Sequence, residues 1–373
     1  MGVLRLILAV TVVLAHSDAL FGLTFTGAVV AVQVFFMISG FYMAMVLDLK
    51  YQGRGAYRIF LINRILRLYP IFLTVLVLTI VVSLVSFMGS GEWLRLEPYV
   101  LYFTTLEWKD KAYLLLSNFL ILGQDLALFL GIDAGRGVLY FTPNFLDSNP
   151  TVSKFLIVPQ AWTLSLELMF YFVAPFLVRF SWKLLVSLII VSLSLRLFVY
   201  FPLGLAHDPW TYRFFPTELA LFLLGLIAYR LVKTGFIQSF SDVAQRWVVI
   251  LFFSVLLCYQ FLPFVSGGLA HVKNWLFYLF AVVALPIVFE RTKHIKWDSQ
   301  VGELSYPIYI SHWLVIMLIQ LYQPGLDRSN LQGEFALLYT VIFSITLIYF
   351  ISRPVENIRQ KIAKKLRVEF ERL

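Results

Sequence analysis

The chain has 373 residues, 60% of them hydrophobic, 17% aromatic and only 14% charged, with a formal net charge of +9 and a mean hydropathy of +0.84. Soluble domains carry about 25% charged residues, so this chain lacks the polar surface to wrap a core in water; a soluble enzyme, a disordered protein and a disulfide scaffold are excluded. The positive balance does not point to nucleic acid, because the basic residues are spread over short segments between apolar runs, the pattern of basic loops on the inner side of a membrane.

Apolar runs long enough to cross a bilayer, about 20 residues each, occur at 4–22, 27–47, 66–88, 112–130, 161–180, 184–202, 214–232, 247–265, 272–290, 303–322 and 335–352. The first is read as a membrane helix rather than a cleaved leader, since only Arg5 precedes it and apolar character resumes at Leu20 and Phe21. The segment after the second run carries Lys50, Arg54, Arg58, Arg64 and Arg67, and the tail carries seven Lys or Arg from Arg353 to Arg372. Both belong inside, so an even number of spans must link the N-terminus to the tail. The run at 112–130 is interrupted by Asn118, Gly123, Gln124 and Asp125. Treating it as non-crossing also places Arg179/Lys183, Arg230/Lys233/Arg246 and Arg291/Lys293/Lys296 inside, with about 20 basic residues there against about 8 outside. The expected fold is all-α: a polytopic transmembrane helical bundle of about ten spans plus one re-entrant or non-crossing segment, both termini cytoplasmic. Residues 89–160 become a long external or re-entrant connection, and connections of that length tend to be functional. The membrane domain occupies 1–352, followed by a basic cytoplasmic tail at 353–373. Cys258, the single cysteine, allows neither an intrachain disulfide nor a cysteine metal site. No repeat is evident, and no motif specifies an oligomeric state.

Ionisable groups inside a bilayer are costly, and each is by default a candidate functional residue. Arg5 and His16 are eleven residues apart, about three helical turns, which puts them on one face roughly 16 Å apart. His16 suits a general base, since imidazole titrates nearest neutrality; a structural histidine bonded to a neighbouring helix is the competing reading. Arg64 and Arg67, at i and i+3, project from one face at the inner mouth of the third span. Arginine forks fit phosphate; taken alone, the pair is better explained as a topological anchor. Thr163, Glu167 and Tyr171 form a polar stripe, with Glu167 expected to pair with His16 or an arginine. Ser305, Tyr309 and His312 form another, serving either chemistry or packing. Glu218 is placed near the outer membrane edge. His207, His271 and His294 are scattered, with no HExxH, carboxylate cluster, Walker loop or GxSxG, so no metal site is expected. Gly40 is expected to permit close helix approach.

In order and spacing these motifs resemble the acyltransferase-3 family of integral membrane O-acyltransferases, which includes O-antigen, exopolysaccharide and nodulation-factor acetylases. Arg5 and His16 match its Arg-x10-His motif, Phe35–Phe41 its FFxxSGF block, and Arg64/Arg67 its RxxR. Trp162–Tyr171 resembles its W-S-x-S-x-E-x-x-F-Y segment. Ser305, Tyr306, Tyr309 and His312 match S-Y-x-x-Y-x-x-H, and Arg353-Pro354 the closing R-P. Three positions depart: Thr163 stands for the usual serine, Gln33 where an acidic residue is common, and Ser352 where glutamate often precedes Arg-Pro. No esterase-like domain follows the last span, so the membrane domain is expected to act alone or with a partner.

The resemblance implies transfer of an acyl group, most often acetyl, from cytoplasmic acyl-CoA to a hydroxyl of a glycan or glycolipid in the bacterial inner membrane. Acetyl-CoA is then a donor substrate and no cofactor is permanently bound. The implied roles give CoA phosphates to Arg64 and Arg67. His16 either deprotonates the acceptor or carries the acyl group itself. Glu167 orients the imidazole, and Arg5 binds CoA or steadies charge on the reacting carbonyl. Trp162, Ser165, Tyr309 and His312 meet substrate. The competing class is a transporter or flippase without covalent chemistry, since intramembrane charges also mark transport paths; the matching interrupted helices of an inverted repeat are not found.

Overall fold

The computed structural model describes residues 1–262, 271–323 and 332–372, with side chains described as far as Ala363. The end of the expected 247–265 span, the side chains of Lys364, Lys365, Arg367 and Arg372, and Leu373 lie outside the described residues.

Fourteen α-helices occur among the described residues: α1 Gly2–His16, α2 Gly27–Leu49, α3 Ala56–Ser90, α4 Glu97–Tyr102, α5 Trp108–Leu120, α6 Trp162–Leu177, α7 Trp182–Tyr200, α8 Phe215–Lys233, α9 Asp242–Cys258, α10 Val272–Thr292, α11 Lys296–Glu303, α12 Ser305–Tyr322, α13 Gln332–Leu347 and α14 Arg353–Arg372. A π-helical turn at Ile348–Ser352 joins α13 to α14. The one sheet described is a hairpin, β1 Leu130–Asp133 against β2 Val138–Phe141, antiparallel with Leu130 opposite Phe141. By length and composition eight helical segments can cross a membrane. The apolar helices α1 and α6, of 15 and 16 residues, bring the set to the ten expected. The chain is a multi-pass membrane protein with an all-α fold.

Side-chain contacts alternate between two faces as ten crossings require. On one face Asp298 accepts from the Gly2 and Val3 amides at 2.7 and 2.9 Å. There too Lys233 pairs with Asp48 at 2.8 Å, Arg230 reaches the Val178 carbonyl, Arg291 pairs with Asp242, and Arg359 of α14 reaches Asn63. On the other, the Thr24 amide donates to Gln260, the Phe21 amide to Glu334 at 2.9 Å, and Trp210 to the Pro143 carbonyl at 2.8 Å. The basic segments fall on the first face, which the basic-inside rule designates the inner one.

Helix α1 is the central post. Leu4, Leu8, Val12, Ala9 and Val13 are buried against α2, α12 and α13. It stops at His16, six residues before the expected end, because the chain turns back there: Leu20 and Leu23 pair in an isolated bridge, and Ser17 folds its hydroxyl onto the Val13 carbonyl. A span of about 22 Å is shorter than the roughly 30 Å hydrocarbon core. That is workable for a helix surrounded by protein rather than lipid.

The tightest packing joins α2 to α8. A Cβ at Gly40 would lie 2.0 Å from the Phe222 carbonyl oxygen, and one at Gly225 only 1.8 Å from that of Met37. Phe222 then stacks between Phe36 and Phe170, centroids 4.7 and 4.4 Å away. Gly40→Ala or Gly225→Ala is expected to cost about 1–3 kcal/mol or more by overpacking, seen as a lowered thermal midpoint of the purified protein. Gly89→Ala, where a new Cβ meets nothing within 4 Å, should leave the midpoint in place.

The 112–130 run does not cross. Helix α5 has 13 residues, and Leu115, Leu116, Phe119 and Leu120 on it are exposed, a face suited to lipid. Its end dips into the bundle: the Tyr69 hydroxyl of α3 donates to the Leu120 carbonyl, and the Gly123 amide donates to Ser165 at 3.0 Å. The chain reverses at Ile121, whose φ of 68° is a rare, strained conformation for a β-branched residue. The segment thus turns back into the bundle instead of forming one span-length helix.

Candidate active site

Four elements deliver the polar groups that face one another in the outer half of the bundle. The last turn of α1 brings His16, α12 brings Tyr309, His312 and Trp313, the start of α6 brings Trp162 and Thr163, and the 89–160 segment brings Arg95, Lys154 and Gln160. All but Thr163 and His312 border a cavity of about 690 Å³, whose lining also includes Val12 and Gln33. The two histidines stack, with ring centroids 5.0 Å apart and planes inclined by 29°.

Their hydrogen bonds fix their tautomers. His16 Nδ1 lies 2.8 Å from the Val12 carbonyl, and His312 Nδ1 lies 2.6 Å from that of Tyr309. A carbonyl only accepts, so each Nδ1 carries the proton and each Nε2 holds the lone pair. His16 is half-buried and borders the cavity. His312 is fully buried, and its Nε2 has no partner among the described residues. Around them the Thr163 and Tyr309 hydroxyls are 2.8 Å apart, and both reach the Gln160 carbonyl, at 3.0 and 3.2 Å. Thr163 thus does with its hydroxyl what the usual serine offers.

A second polar layer lies toward the inner face. Glu167, one turn below Thr163 on α6, accepts from Ser39 at 2.9 Å and from the Tyr171 hydroxyl. The expected Glu167–His16 pair does not form: the carboxylate is committed to α2 and its own helix, and the imidazole to its own helix carbonyl. Arg67 lies near Arg64, Arg5 and Arg359 and feels their charges. Arg64 is buried over the Phe60 ring, 5.6 Å from its centroid, with Nε unpartnered among the described residues. Arg5 therefore belongs with the inner arginines and, unlike His16, does not border the cavity. Ser165, expected to meet substrate, instead donates to Asp125 at 2.6 Å and anchors the re-entrant tip. Trp162 and Tyr309 do border the cavity.

Several cavity residues belong to no motif. Arg95, Lys154, Arg196, Asp208, Tyr212 and Arg213 all line it. The length of the 89–160 connection was the only sequence signal for the first two. Among the described residues no group of three or more His, Cys, Asp or Glu side chains is placed to hold a metal.

A family model for an acyltransferase domain matches residues 1–352. The chain belongs to the acyltransferase-3 family. A protein of Aquifex aeolicus (strain VF5), described as uncharacterized, is 24% identical over 220 residues, covering 57% of this chain and 95% of that protein. No solved structure matches. The match takes in every motif that suggested the family except the closing Arg353-Pro354.

Proposed function

We propose that this acyltransferase moves an acyl group, acetyl by family resemblance, from acyl-CoA at the inner, cytoplasmic face to a hydroxyl of a glycan or glycolipid held in the outer cavity. The protein would sit in the bacterial inner membrane with both termini in the cytoplasm. The observation that carries the reading is His16, whose Nδ1–H is spent on Val12, leaving Nε2 as the basic nitrogen on the wall of a cavity on the opposite side of the bundle from the arginine cluster.

In this reading His16 Nε2 takes the proton of the acceptor hydroxyl as its oxygen attacks the thioester carbonyl carbon. The tetrahedral intermediate collapses, the C–S bond breaks, and the departing CoA thiolate recovers a proton from the imidazolium. Tyr309 on the cavity wall, held by the buried Thr163 hydroxyl, would order the acceptor. Arg64 and Arg67, supported by Arg5 and Arg359, would bind the CoA phosphates, and Glu167 would hold the Tyr171 and Ser39 hydroxyls beside the pantetheine path. His312 backs the His16 ring and keeps it in plane, so it acts as a positioning residue.

Membranes carrying the protein, given acyl-CoA labelled in the acyl group, should pass label to a glycan or glycolipid; label that stays on CoA in every membrane fraction would leave a transporter or flippase as the better reading. Arg67→Ala should weaken CoA binding by about tenfold or more, the value of a charge-assisted contact. Arg67→Lys should restore it only in part, because the fork is lost. Unchanged CoA affinity in Arg67→Ala would make the pair a topological anchor.

A further inference from the structure

Four cations line the outer cavity, and they are not alike. Arg196 donates to the buried Glu218 carboxylate at 2.5 Å. Arg213 pairs with Asp208, itself on the cavity wall, at 2.7 Å. Arg95 and Lys154 have no ion pair or side-chain hydrogen bond among the described residues; Arg95 only lies over the Trp313 indole, 4.8 Å from the ring centroid. A guanidinium that is partly withdrawn from water without a counter-charge is costly, and an incoming anion offsets that cost. The same Trp313 ring lies 5.3 Å from His16, so the unpaired guanidinium and the proposed base flank one indole. Trp162, Tyr212 and Trp275 add aromatic faces to the lining, suited to the apolar faces of pyranose rings.

We propose that the acceptor is anionic: a saccharide or saccharide lipid bearing a carboxylate or phosphate that Arg95 grips as a fork, with Lys154 reinforcing the field, so that the modified hydroxyl lies on the same sugar as that anion or on its neighbour. The inference rests on the acyl-transfer reading only for calling this ligand the acceptor; anion recognition by the cavity stands apart from it. Arg95 is a specificity-determining residue in this scheme. The already paired Arg196 and Arg213 shape the wall and hold their aromatic neighbours: the Arg213 guanidinium lies 4.4 Å from the Trp162 ring centroid.

The test is donor-free binding to the full-length protein in nanodiscs of neutral lipid, followed by tryptophan fluorescence. The probes are an oligogalacturonate against its methyl ester, and a polyprenyl phosphate against the polyprenol. At least one anionic probe should bind about 10- to 100-fold tighter than its neutral partner, the range for hydrogen bonds to a charged group, and the preference should shrink as salt is raised. Preference within the first pair identifies a carboxylate sugar, and within the second a phosphate carrier. Arg95→Gln should abolish most of the preference, Arg95→Lys should restore part, and Lys154→Gln should reduce it. Lys183→Gln, exposed near the inner face, should leave it intact. Equal binding of anionic and neutral probes, or a preference that survives Arg95→Gln, overturns the proposal. Labelled transfer to neutral glycans alone would keep acyl transfer and reject the anionic acceptor. Arg95-dependent anion binding with no transfer would keep anion recognition by the cavity and reject the acyl-transfer reading.

Discussion

His16→Ala is expected to lower turnover by about 10²–10⁴-fold, the usual worth of general-base catalysis, while the protein still inserts and binds CoA. The side chain ends α1 and is not part of its packed stripe of Leu4, Leu8 and Val12. Its loss therefore removes a base more than it removes core. His16→Gln should be nearly as inactive, since an amide keeps a donor for the Val12 carbonyl but offers no basic nitrogen. Because only the neutral imidazole can accept the acceptor's proton, the rate should fall on the acid side as the ring protonates. That limb of the profile should vanish from the residual activity of His16→Gln.

His312 provides the discriminating comparison. It is fully buried and does not border the cavity, so His312→Ala should act by loosening the ring stacked on it, and His312→Phe, which keeps an aromatic face, should recover part of the loss. Measured with a common glycan acceptor, the ranking His16→Ala below His312→Ala below His312→Phe supports His16 as the base. Near-normal turnover in His16→Ala would exchange the two roles.

Helix number was legible in the sequence because bilayer thickness sets span length and basic residues set parity, and both are local properties. Helix ends were less so. α9 begins at Asp242 rather than 247 because the Ser241 side chain accepts from the Ala244 amide at 3.2 Å, a cap that a hydropathy window overlooks. In the site, spacing correctly put Thr163, Glu167 and Tyr171 on one stripe, and the Tyr171–Glu167 hydrogen bond follows from i, i+4 geometry. Spacing does not say which neighbouring helix each stripe residue meets. Glu167 faces Ser39, the serine of the Phe35–Phe41 block, while Thr163 faces Tyr309. Arg95, Lys154 and Arg213 come from irregular connections whose paths depend on tertiary packing, and no periodicity marks them.

Gln33 shows how a departure at one position is balanced at another, and it leads to the largest stability effect expected here. Its Nε2 donates to both Glu218 oxygens, at 3.0 and 3.3 Å, and its Oε1 accepts from the Tyr278 hydroxyl. Arg196 completes the cluster, donating to Glu218 and to the Thr211 and Thr217 carbonyls. A carboxylate at position 33 would lose the donor and repel Glu218, so an amide fits this cavity wall. Glu218→Ala should cost about 3–5 kcal/mol, the price of leaving one member of a buried ion pair unmatched, and Gln33→Glu should also destabilise, by a smaller amount. Replacing both partners, Arg196→Leu with Glu218→Leu, should recover only part of the loss. The Thr211 and Thr217 carbonyls would still lack their donor, and Trp275 would lose the guanidinium 5.2 Å from its ring centroid. Unfolding of the purified single and double variants, analysed as a double-mutant cycle, measures the coupling directly. A Glu218→Ala protein as stable as its parent would show that water reaches this pair and that the cluster is not the closed wall its geometry describes.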